Sequence, residues 1–390
     1  MKIQKLKDIC LTEITDGTHQ TPTYSEYGYI FLSSKNVTTQ KIDWDNVMFI
    51  PEKLHEELYK RVAPQIDDIL LAKNGTTGVA AIVDRDIVFD IYVSLALIRP
   101  NTEIVMPRYL LYAINNPVVK GYFDSSLKGI GVPNLHLKNI RETPIKIYDL
   151  ETQKAIVEKL DKVCELISLR KQQLAKLDEL VKARFWEMFG DLVVGDKIQT
   201  SKKKIGEIAS VTKLAGFEFT KYIQYKEHGD IIMLRGLNCK QGKLILDDVK
   251  WIDRETSDLL PRSKLYYGDI LMTYAGTIGD VAMVDENDKY HLAPNVAKVS
   301  INNKKAYNPI FLMYLFLYSN DYIMRFASQV AQASINMEKI RNFEYYFPDV
   351  TFQNQFAAFV ERVDQQKQTV QQSLEKLELM KKALMQEYFG

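Results

Sequence analysis

The sequence has few of the residues that build metal sites and disulfide frameworks. It contains three cysteines and five histidines in 390 residues. Cys10, Cys164 and Cys239 lie far apart and form no Cys-x-x-Cys pair, so the sequence predicts neither a disulfide framework nor a zinc site. This use of cysteine is typical of a reducing cytoplasm.

Long apolar segments are also scarce. The longest strongly apolar run, residues 310–318, is far too short to cross a bilayer. The first ten residues, MKIQKLKDIC, lack the apolar core of a signal peptide. We therefore expect a soluble cytoplasmic protein with no membrane partner. Its 46% hydrophobic content is ample for packed cores, and its length suggests two to three domains.

The sequence has no excess of either charge. Lys and Arg together number 51 and Asp and Glu 50, which gives a formal net charge of +1. Proteins that grip phosphates unaided usually carry a basic excess. If this chain binds nucleic acid, either its basic residues cluster on one face or partner subunits supply much of the phosphate grip.

Motifs of catalysis are missing as well. The sequence has no HExxH motif, no GxSxG elbow and no Asn-Pro-Pro-aromatic motif of an adenine methyltransferase. The segment from Gly236 to Lys243 comes nearest to a phosphate-binding loop. Its glycine spacing is one residue too long, and Leu244 stands where Ser or Thr would bind magnesium. We therefore predict a protein with no catalytic residues and no metal ligands of its own.

The main positive signal is an internal duplication. Residues 68–84 read DILLAKNGTTGVAAIVD and residues 269–285 read DILMTYAGTIGDVAMVD, with nine of 17 positions identical at an offset of 201. Weaker matches flank this core in the same order, such as Leu32 and Asn36 with Leu234 and Asn238. The repeated unit is therefore a whole domain.

Each half of the chain ends in a heptad pattern. From 156 to 188, and again from 356 to 388, alternate spacings of four and three residues give the a/d seam of a coiled coil. Polar residues interrupt the two seams at staggered positions: Arg170, Arg184, Lys367 and Lys381. This stagger favours pairing of the two helices with each other, and antiparallel pairing gives a duplicated chain a two-fold pseudo-axis. Alternatively, each helix packs on its own domain.

The predicted interface of the helix pair comprises the apolar seam positions. They are Leu160, Val163, Ile167, Leu174, Leu177, Val181, Val360, Val363, Val370, Leu374, Leu377 and Leu384. Gly190 and Gly390 stand where each helix can stop.

The fold class that these patterns predict is α+β, because neither half shows a regular βαβ alternation. Strands are expected at 69–71, 79–83, 270–272 and 281–284, and buried helices at 107–116 and 309–320. The predicted architecture has two related mixed α/β domains, 1–150 and 191–348. Two long antiparallel coiled-coil helices, 151–190 and 349–390, join them as a pseudo-two-fold repeat.

This layout resembles the specificity subunits of Type I restriction–modification systems. Local marks of the resemblance are ITDGTHQTP (14–22), the G-T-x-G core of each half, GIGVPNLHLKNIRETPI (129–145), and Gln153 and Gln353 at the helix starts. The second half departs from the pattern. Its segment SINMEKIRNFEYYFP (334–348) is divergent and it has no DGTH loop, so we expect the two halves to read different DNA sequences.

The resemblance implies a DNA-recognition subunit. Residues 1–150 would be target recognition domain 1 and 191–348 target recognition domain 2, each reading one half of a bipartite, asymmetric site in double-stranded DNA. The helices would set the gap between the half-sites and dock two methyltransferase (modification) subunits. Two restriction (translocase/nuclease) subunits would complete the complex. S-adenosylmethionine, ATP and Mg would belong to the partner subunits, and no cofactor to this chain. A coiled-coil assembly scaffold and an enzyme with an unrecognised site are the alternatives.

Candidate DNA contacts come from polar side chains near the repeat motifs, because base edges are read by such groups and phosphates by lysine, arginine and backbone N–H groups. In domain 1 they are Thr18, His19, Gln20, Thr21, Tyr24, Ser34, Lys35, Asn36, Lys73, Asn74, Thr76 and Thr77. In domain 2 they are Lys213, Lys221, Tyr222, Arg235, Asn238, Tyr274 and Thr277. The glycine turns at 73–78 and 274–279 are equally well explained as structural hairpins. We interpret Lys202–Lys204 as a solvated linker, with phosphate contact as the alternative.

Overall fold

The computed structural model describes residues 1–127, 133–198, 200–328 and 333–390. Part of the GIGVPNLHLKNIRETPI segment, residues 129–132, lies outside the described residues.

The first half of the chain alternates short strands and helices before one long helix. Its strands are β1 (Lys2–Lys5), β2 (Thr15–Asp16), β3 (Tyr29–Leu32), β4 (Met48–Ile50), β5 (Ile69–Ala72), β6 (Ala80–Ile82), β7 (Phe89–Ile91), β8 (Leu95–Ile98) and β9 (Pro144–Ile147). Its helices are α1 (Glu52–Tyr59), α2 (Pro107–Ile114), α3 (Pro117–Ser126), α4 (Leu137–Arg141) and the long α5 (Leu150–Phe189). Short 3-10 turns are present at Leu6–Ile9 and Ser34–Val37.

The second half repeats this order. Its strands are β10 (Lys202–Lys204), β11 (Ala209–Lys213), β12 (Ile231–Leu234), β13 (Cys239–Lys240), β14 (Lys243–Leu244), β15 (Lys250–Ile252), β16 (Ile270–Thr273), β17 (Val281–Met283), β18 (Tyr290–Leu292), β19 (Val296–Ile301) and β20 (Glu344–Tyr346). Its helices are α6 (Ile205–Ile208), α7 (Gly216–Tyr222), α8 (Arg254–Asp258), α9 (Pro309–Tyr318), α10 (Asn320–Met324), α11 (Met337–Arg341) and the long α12 (Val350–Phe389). Its 3-10 turns are Gly236–Asn238 and Pro261–Ser263.

Both halves build the same sheets. In the described residues, the first half has an antiparallel sheet in the order β2-β8-β5-β6 and a mixed sheet β4-β3-β7 in which β3 and β7 are parallel. The second half has β11-β19-β16-β17 and β15-β12-β18 with the same strand directions. The duplication and the α+β class are confirmed. The linker prediction for Lys202–Lys204 is wrong, because β10 pairs with β20.

The central strands explain the apolar runs of the sequence. Side chains of β5 alternate between two cores: Ile69 packs with the helix α2, and Leu70 packs with the three-stranded sheet around Phe89. In the second half Ile270 packs with α9 and Leu271 packs against the β12–β18 sheet. A strand that packs against a layer on each face needs apolar residues at every position. The predicted strands and buried helices are confirmed.

The two long helices, Leu150–Phe189 and Val350–Phe389, lie within one residue of the predicted spans. The Asp149 carboxylate accepts hydrogen bonds from the Thr152 backbone and side chain at 2.8 Å, and these bonds hold the pKa of Asp149 below its ordinary value. Helix α5 stops at Gly190, whose φ of 62° is a conformation that favours glycine. Within the described residues, no helix is both long enough and apolar enough to span a membrane.

The chain forms two compact units, and each includes parts of both long helices. Unit 1 contains residues 1–171 and 372–390, and unit 2 contains residues 172–371. In unit 1, Met385 and Phe389 at the end of α12 share a hydrophobic core with Ile156 and Leu160 near the start of α5.

Unit 2 shows the reverse arrangement. There, Val181 and Phe185 near the end of α5 share a core with Phe356 and Val360 near the start of α12. The start of each helix thus lies with the end of the other, which confirms antiparallel pairing and excludes separate packing of each helix on its own domain.

All predicted interface residues are at least partly buried. Buried residues are Leu160, Val163, Val181, Val360, Val363, Val370 and Leu374, and half-buried residues are Ile167, Leu174, Leu177, Leu377 and Leu384. The polar seam residue Lys367 is only 7% exposed. Its ammonium lies 2.6 Å from the Asp178 carboxylate of α5 and 3.4 Å from Asp364. The buried cation therefore has a carboxylate partner on the opposite helix.

A buried glutamine connects each long helix to its own globular half. The Gln153 side chain accepts a hydrogen bond from Met106 N at 2.8 Å and donates to Ile104 O at 2.9 Å and Tyr148 O at 2.8 Å. Gln353 accepts from Asn308 N at 2.9 Å and donates to Pro348 O at 2.8 Å. These glutamines are structural, because they satisfy backbone groups that would otherwise be buried without partners.

We expect Asp178→Ala to destabilise unit 2 by about 1 kcal/mol, because the buried Lys367 ammonium loses its nearest carboxylate. Lys367→Met removes the buried charge together with its desolvation penalty, so its stability should equal or exceed that of the wild type. The midpoint of urea unfolding, followed by circular dichroism, measures both effects. Glu179→Ala, at an exposed neighbouring position, is the control. A Lys367→Met variant less stable than Asp178→Ala would contradict this role of the ion pair.

Gln353→Ala should lower the free energy of unfolding by about 2 kcal/mol, because Asn308 N and Pro348 O lose their partner at a buried site. The exposed Gln355 on the same helix is the matched control, and its alanine variant should differ from the wild type by less than about 0.5 kcal/mol. Scanning calorimetry of both variants measures these changes in the free energy of unfolding. Equal losses would show that the glutamine is not a structural joint.

Candidate nucleic-acid interface

The loops that carry the domain 1 candidates meet at one end of the sheets. The strand β2 ends at Asp16 opposite Ala96, and β5 ends at Ala72 opposite Leu95, so both strands end where β8 begins. The parallel strands β3 and β7 end together at Leu32 and Ile91.

Hydrogen bonds tie these loops to one another. Ser34 N donates to Ser94 Oγ at 3.0 Å, and Val93 N donates to Thr18 O at 3.0 Å. The Lys73 backbone N donates to Ser94 O at 2.9 Å. The three predicted segments 18–24, 34–36 and 73–77, which are separate in the sequence, therefore follow strands that end on one side of domain 1. We define this set of loops as the loop end of domain 1.

Domain 2 has an equivalent loop end. The strand β11 ends at Lys213 opposite Ala297, and β16 ends at Thr273 opposite Val296. Tyr274 N donates to Asn295 O at 3.0 Å. Arg235, Tyr274 and Thr277 follow directly after these strands or after β12. Lys221 and Tyr222 belong to α7, where Tyr222 packs against the hydrophobic cluster of the three-stranded sheet.

Most candidates present surface that a ligand can reach. The exposed ones are His19, Gln20, Thr21, Tyr24, Lys35, Thr76, Lys213, Lys221 and Thr277, and the half-buried ones are Thr18, Ser34, Asn74, Thr77, Tyr222, Arg235 and Tyr274. Arg235 is partly committed, because its guanidinium donates to the Asp248 carboxylate at 2.8 Å and to Asp248 O at 2.9 Å.

Asn36 and Asn238 require a correction. Asn36 is 6% exposed: its side-chain oxygen accepts from Ser33 N at 2.9 Å and its amide nitrogen donates to Asn46 O at 2.9 Å. Asn238 is fully buried and binds Arg235 N at 3.0 Å and Asp248 O at 2.8 Å. Each amide fixes the shape of the corresponding loop in its own domain and has no free face for a base. The prediction that Asn36 and Asn238 contact DNA is therefore corrected.

Lys73 is also internal. Its side chain is 8% exposed and its ammonium lies 2.8 Å from the Asp16 carboxylate. The same carboxylate lies 3.2 Å from His19 Nε2 and 3.3 Å from the Arg61 guanidinium. The Lys73 ammonium is therefore engaged in a structural ion pair and is not free to bind a phosphate. The prediction that Lys73 contacts DNA is corrected accordingly.

Sequence reasoning missed Asp16 and Arg61. Asp16 had a signal, because it belongs to the DGTH motif found only in the first half. Arg61 had none: it lies 45 residues away in the chain, just after α1, and the fold alone brings its guanidinium to Asp16 O at 2.5 Å and Gly17 O at 2.9 Å.

The glycine turns of both domains have a structural explanation. Gly78 and Gly279 have φ of 79° and 84°, which favours glycine at these positions. A Cβ on Gly78 would lie 3.2 Å from the Phe123 ring, and one on Gly279 would lie 2.1 Å from Asn320 Oδ1. The second glycine thus lets each turn pack against a helix, whereas Gly276 faces open space. These turns are a shared part of the frame.

Histidine and carboxylate groups also lie inside the small sheets. His55 Nδ1 and Asp90 Oδ2 are 2.7 Å apart, and burial raises the pKa of Asp90 while the hydrogen bond to His55 opposes that shift. In domain 2, His291 occupies the strand position that matches Asp90. Burial lowers the pKa of His291. Within the described ranges, no group of three or more His, Cys, Asp or Glu residues is placed to hold a metal ion. The exposed candidate side chains of the loop ends include the hydrogen-bonding groups of Gln20, Thr76 and Thr277 and the basic groups of Lys35 and Lys213.

Both halves of the chain are similar to known proteins. A family model for the Type I restriction modification DNA specificity domain matches residues 1–179 and again residues 199–379. The chain is 23% identical over 410 residues to the putative type I restriction enzyme MjaX specificity subunit of Methanocaldococcus jannaschii, covering 98% of this chain and 91% of that protein. It is 25% identical over 281 residues to the type I restriction enzyme EcoBI specificity subunit of Escherichia coli, covering 66% and 58%.

Solved structures share the fold. A chain from a type I R-M system has a TM-score of 0.60 at 16% identity, covering 100% of this chain and 97% of that one. The S subunit of a Type-I restriction-modification system from M. genitalium has a TM-score of 0.58 at 14% identity, covering 100% and 96%. The resemblance read from the sequence is confirmed. Because the family model matches most of the chain, once in each structural repeat, the chain belongs to the family of the Type I restriction modification DNA specificity domain.

Proposed function

We propose that the chain reads double-stranded DNA with the loop ends of its two domains, each recognising one half of a bipartite, asymmetric site. The observation that carries this proposal is a shared frame with different polar groups at matching loops. Domain 1 offers His19, Gln20 and Lys35, whereas domain 2 offers Lys213 and Tyr274. Side chains of this kind hydrogen-bond to base edges and phosphates. A common frame with divergent loops suits two different half-sites.

The long helices act in this proposal as the spacer between the two reading domains. A helix of 40 residues is about 60 Å long at 1.5 Å per residue. Half-sites in successive major grooves are about 34–36 Å apart. The helices α5 (Leu150–Phe189) and α12 (Val350–Phe389) are thus long enough to set a fixed gap between the bases read by domains 1–150 and 191–348.

The chain works in the cytoplasm as a non-catalytic subunit in this proposal. Two methyltransferase subunits dock on the helices and supply S-adenosylmethionine, and two restriction subunits supply the ATP- and Mg-dependent translocase and nuclease. The near-neutral charge of the chain supports this division, because a protein that carries a net charge of +1 gains from partners that share the phosphate contacts.

The test of the proposed function is a genome-wide map of methylated adenines. Cells with this gene and its partner methyltransferase should show a bipartite motif with a fixed gap, and the motif should vanish when only this gene is deleted. A strain that carries the gene on a plasmid is the control and should regain the motif. An identical map with and without the gene would refute the proposed function.

Leu374→Asp should separate this chain from its methyltransferase partner. Leu374 is buried in the helix seam, and a carboxylate there would lose the apolar contacts of leucine and be partly desolvated. We expect co-purification of the methyltransferase to fall at least about tenfold, which corresponds to a loss of roughly 1.4 kcal/mol of binding free energy. Gln372→Asp, two residues earlier and exposed, is the control and should retain the partner. Circular dichroism verifies that the domains stay folded, and undiminished co-purification of Leu374→Asp would contradict docking on the helices.

A further inference from the structure

Residues 16 and 213 occupy the same place in the two domains. Asp16 pairs with Ala96 between β2 and β8, and Lys213 pairs with Ala297 between β11 and β19. Ala96 and Ala297 are separated by the repeat offset of 201 residues. The next loop obeys the same offset, since Lys73 follows β5 and Tyr274 follows β16. The duplicated frame therefore holds Asp16 beside Lys73 in domain 1 and Lys213 beside Tyr274 in domain 2.

In domain 1 this place is a closed cluster of charges. Asp16 is 4% exposed and its carboxylate faces Lys73 at 2.8 Å, His19 at 3.2 Å and Arg61 at 3.3 Å. Arg61 also donates to the backbone carbonyls of Asp16 and Gly17. The cluster ties the DGTH loop to the turn after β5 and to the chain after α1. A cation used this way fixes loop geometry and releases no counterion from DNA.

In domain 2 the same place is open. Lys213 is exposed, and its ammonium lies 5.4 Å from the centre of the Tyr274 ring. Among the described residues, no carboxylate forms an ion pair with Lys213. An ammonium over an aromatic ring is held in position while most of its charge remains available to a second anion. A DNA phosphate is the anion that a loop end of this kind meets.

We propose that Lys213, held on Tyr274, is a direct phosphate contact of domain 2, and that Asp16 is a positioning residue that locks Lys73 and orients His19 and Arg61 in domain 1. This inference rests on the proposed function. The same position of the repeat thus has two roles. In domain 1 Asp16 fixes the shape of the recognition loop, and in domain 2 Lys213 provides a positive charge that binds phosphate. Loss of the two lysines, Lys73 and Lys213, must then have different consequences.

The salt dependence of DNA binding separates these consequences. Each phosphate that a cation neutralises contributes about 0.9 to the slope of log K against log salt concentration. Lys213→Met should weaken binding to all duplexes by a similar factor and reduce the slope by about 0.9. Lys73→Met should leave the slope unchanged and reduce discrimination against base changes in the first half-site, on the order of tenfold.

The experiment uses the full chain in complex with its methyltransferase subunits. Fluorescence anisotropy measures binding to a duplex with the mapped site, to duplexes with either half-site scrambled, and to each of them at several salt concentrations. Lys305→Met is the matched control, because Lys305 is an exposed lysine beyond the opposite end of β19. It should change neither the slope nor the discrimination. Tyr274→Leu should shift the slope in the same direction as Lys213→Met, by a smaller amount.

An unchanged slope for Lys213→Met would overturn the phosphate contact. An equal drop in slope for Lys73→Met would overturn the positioning role, because it would show that the Lys73 ammonium reaches DNA. A wild-type complex that binds all duplexes equally would refute the proposed function. The salt-dependence slope of Lys213→Met would still test the phosphate contact. A wild-type complex that binds no duplex would refute both.

Discussion

The burial of aromatic side chains at the ends of the two long helices is the interaction on which each compact unit depends. In unit 2, Phe185 and Phe189 of α5 pack against Phe311 and Phe356 with ring centroids 5.0–6.0 Å apart. In unit 1, Phe389 of α12 lies 5.2 Å from the Tyr109 ring. Removing a phenylalanine from such a core costs about 3–5 kcal/mol. Each unit therefore needs a helical segment from a distant part of the sequence to complete its core.

A second set of contacts keeps the two halves alike. The amides of Asn36 and Asn238 hold matching loops, and Gln153 and Gln353 join each long helix to its globular half. These side chains bind backbone groups, and a buried backbone group without a partner is costly. Substitution at such positions changes the frame itself, which gives a physical reason why both copies have the same residue there.

Function then depends on the positions that the frame leaves free. At the loop ends the side chains project from turns whose backbone is already hydrogen-bonded, so exchanging them alters the surface without altering the fold. Equivalent backbone positions even carry opposite charges, since Asp16 is buried in an ion-pair cluster in domain 1 and Lys213 is exposed in domain 2. Two recognition surfaces of different specificity can arise in this way from one duplicated domain.

The sequence by itself determined the repeat, the strand and helix classes of its central segments and the antiparallel seam, because these depend on local periodicity and on comparison of two copies. It also located the loops of the candidate interface, since those loops flank the repeated motifs. Only the tertiary structure decided which polar side chains in them are free. Asn36 and Lys73 look like surface residues in the sequence, yet the fold buries one against loop carbonyls and the other against Asp16. Arg61 joins that cluster across 45 residues of chain, because hydrogen bonds and ion pairs between distant segments form only once the packed sheets have brought the strand ends together.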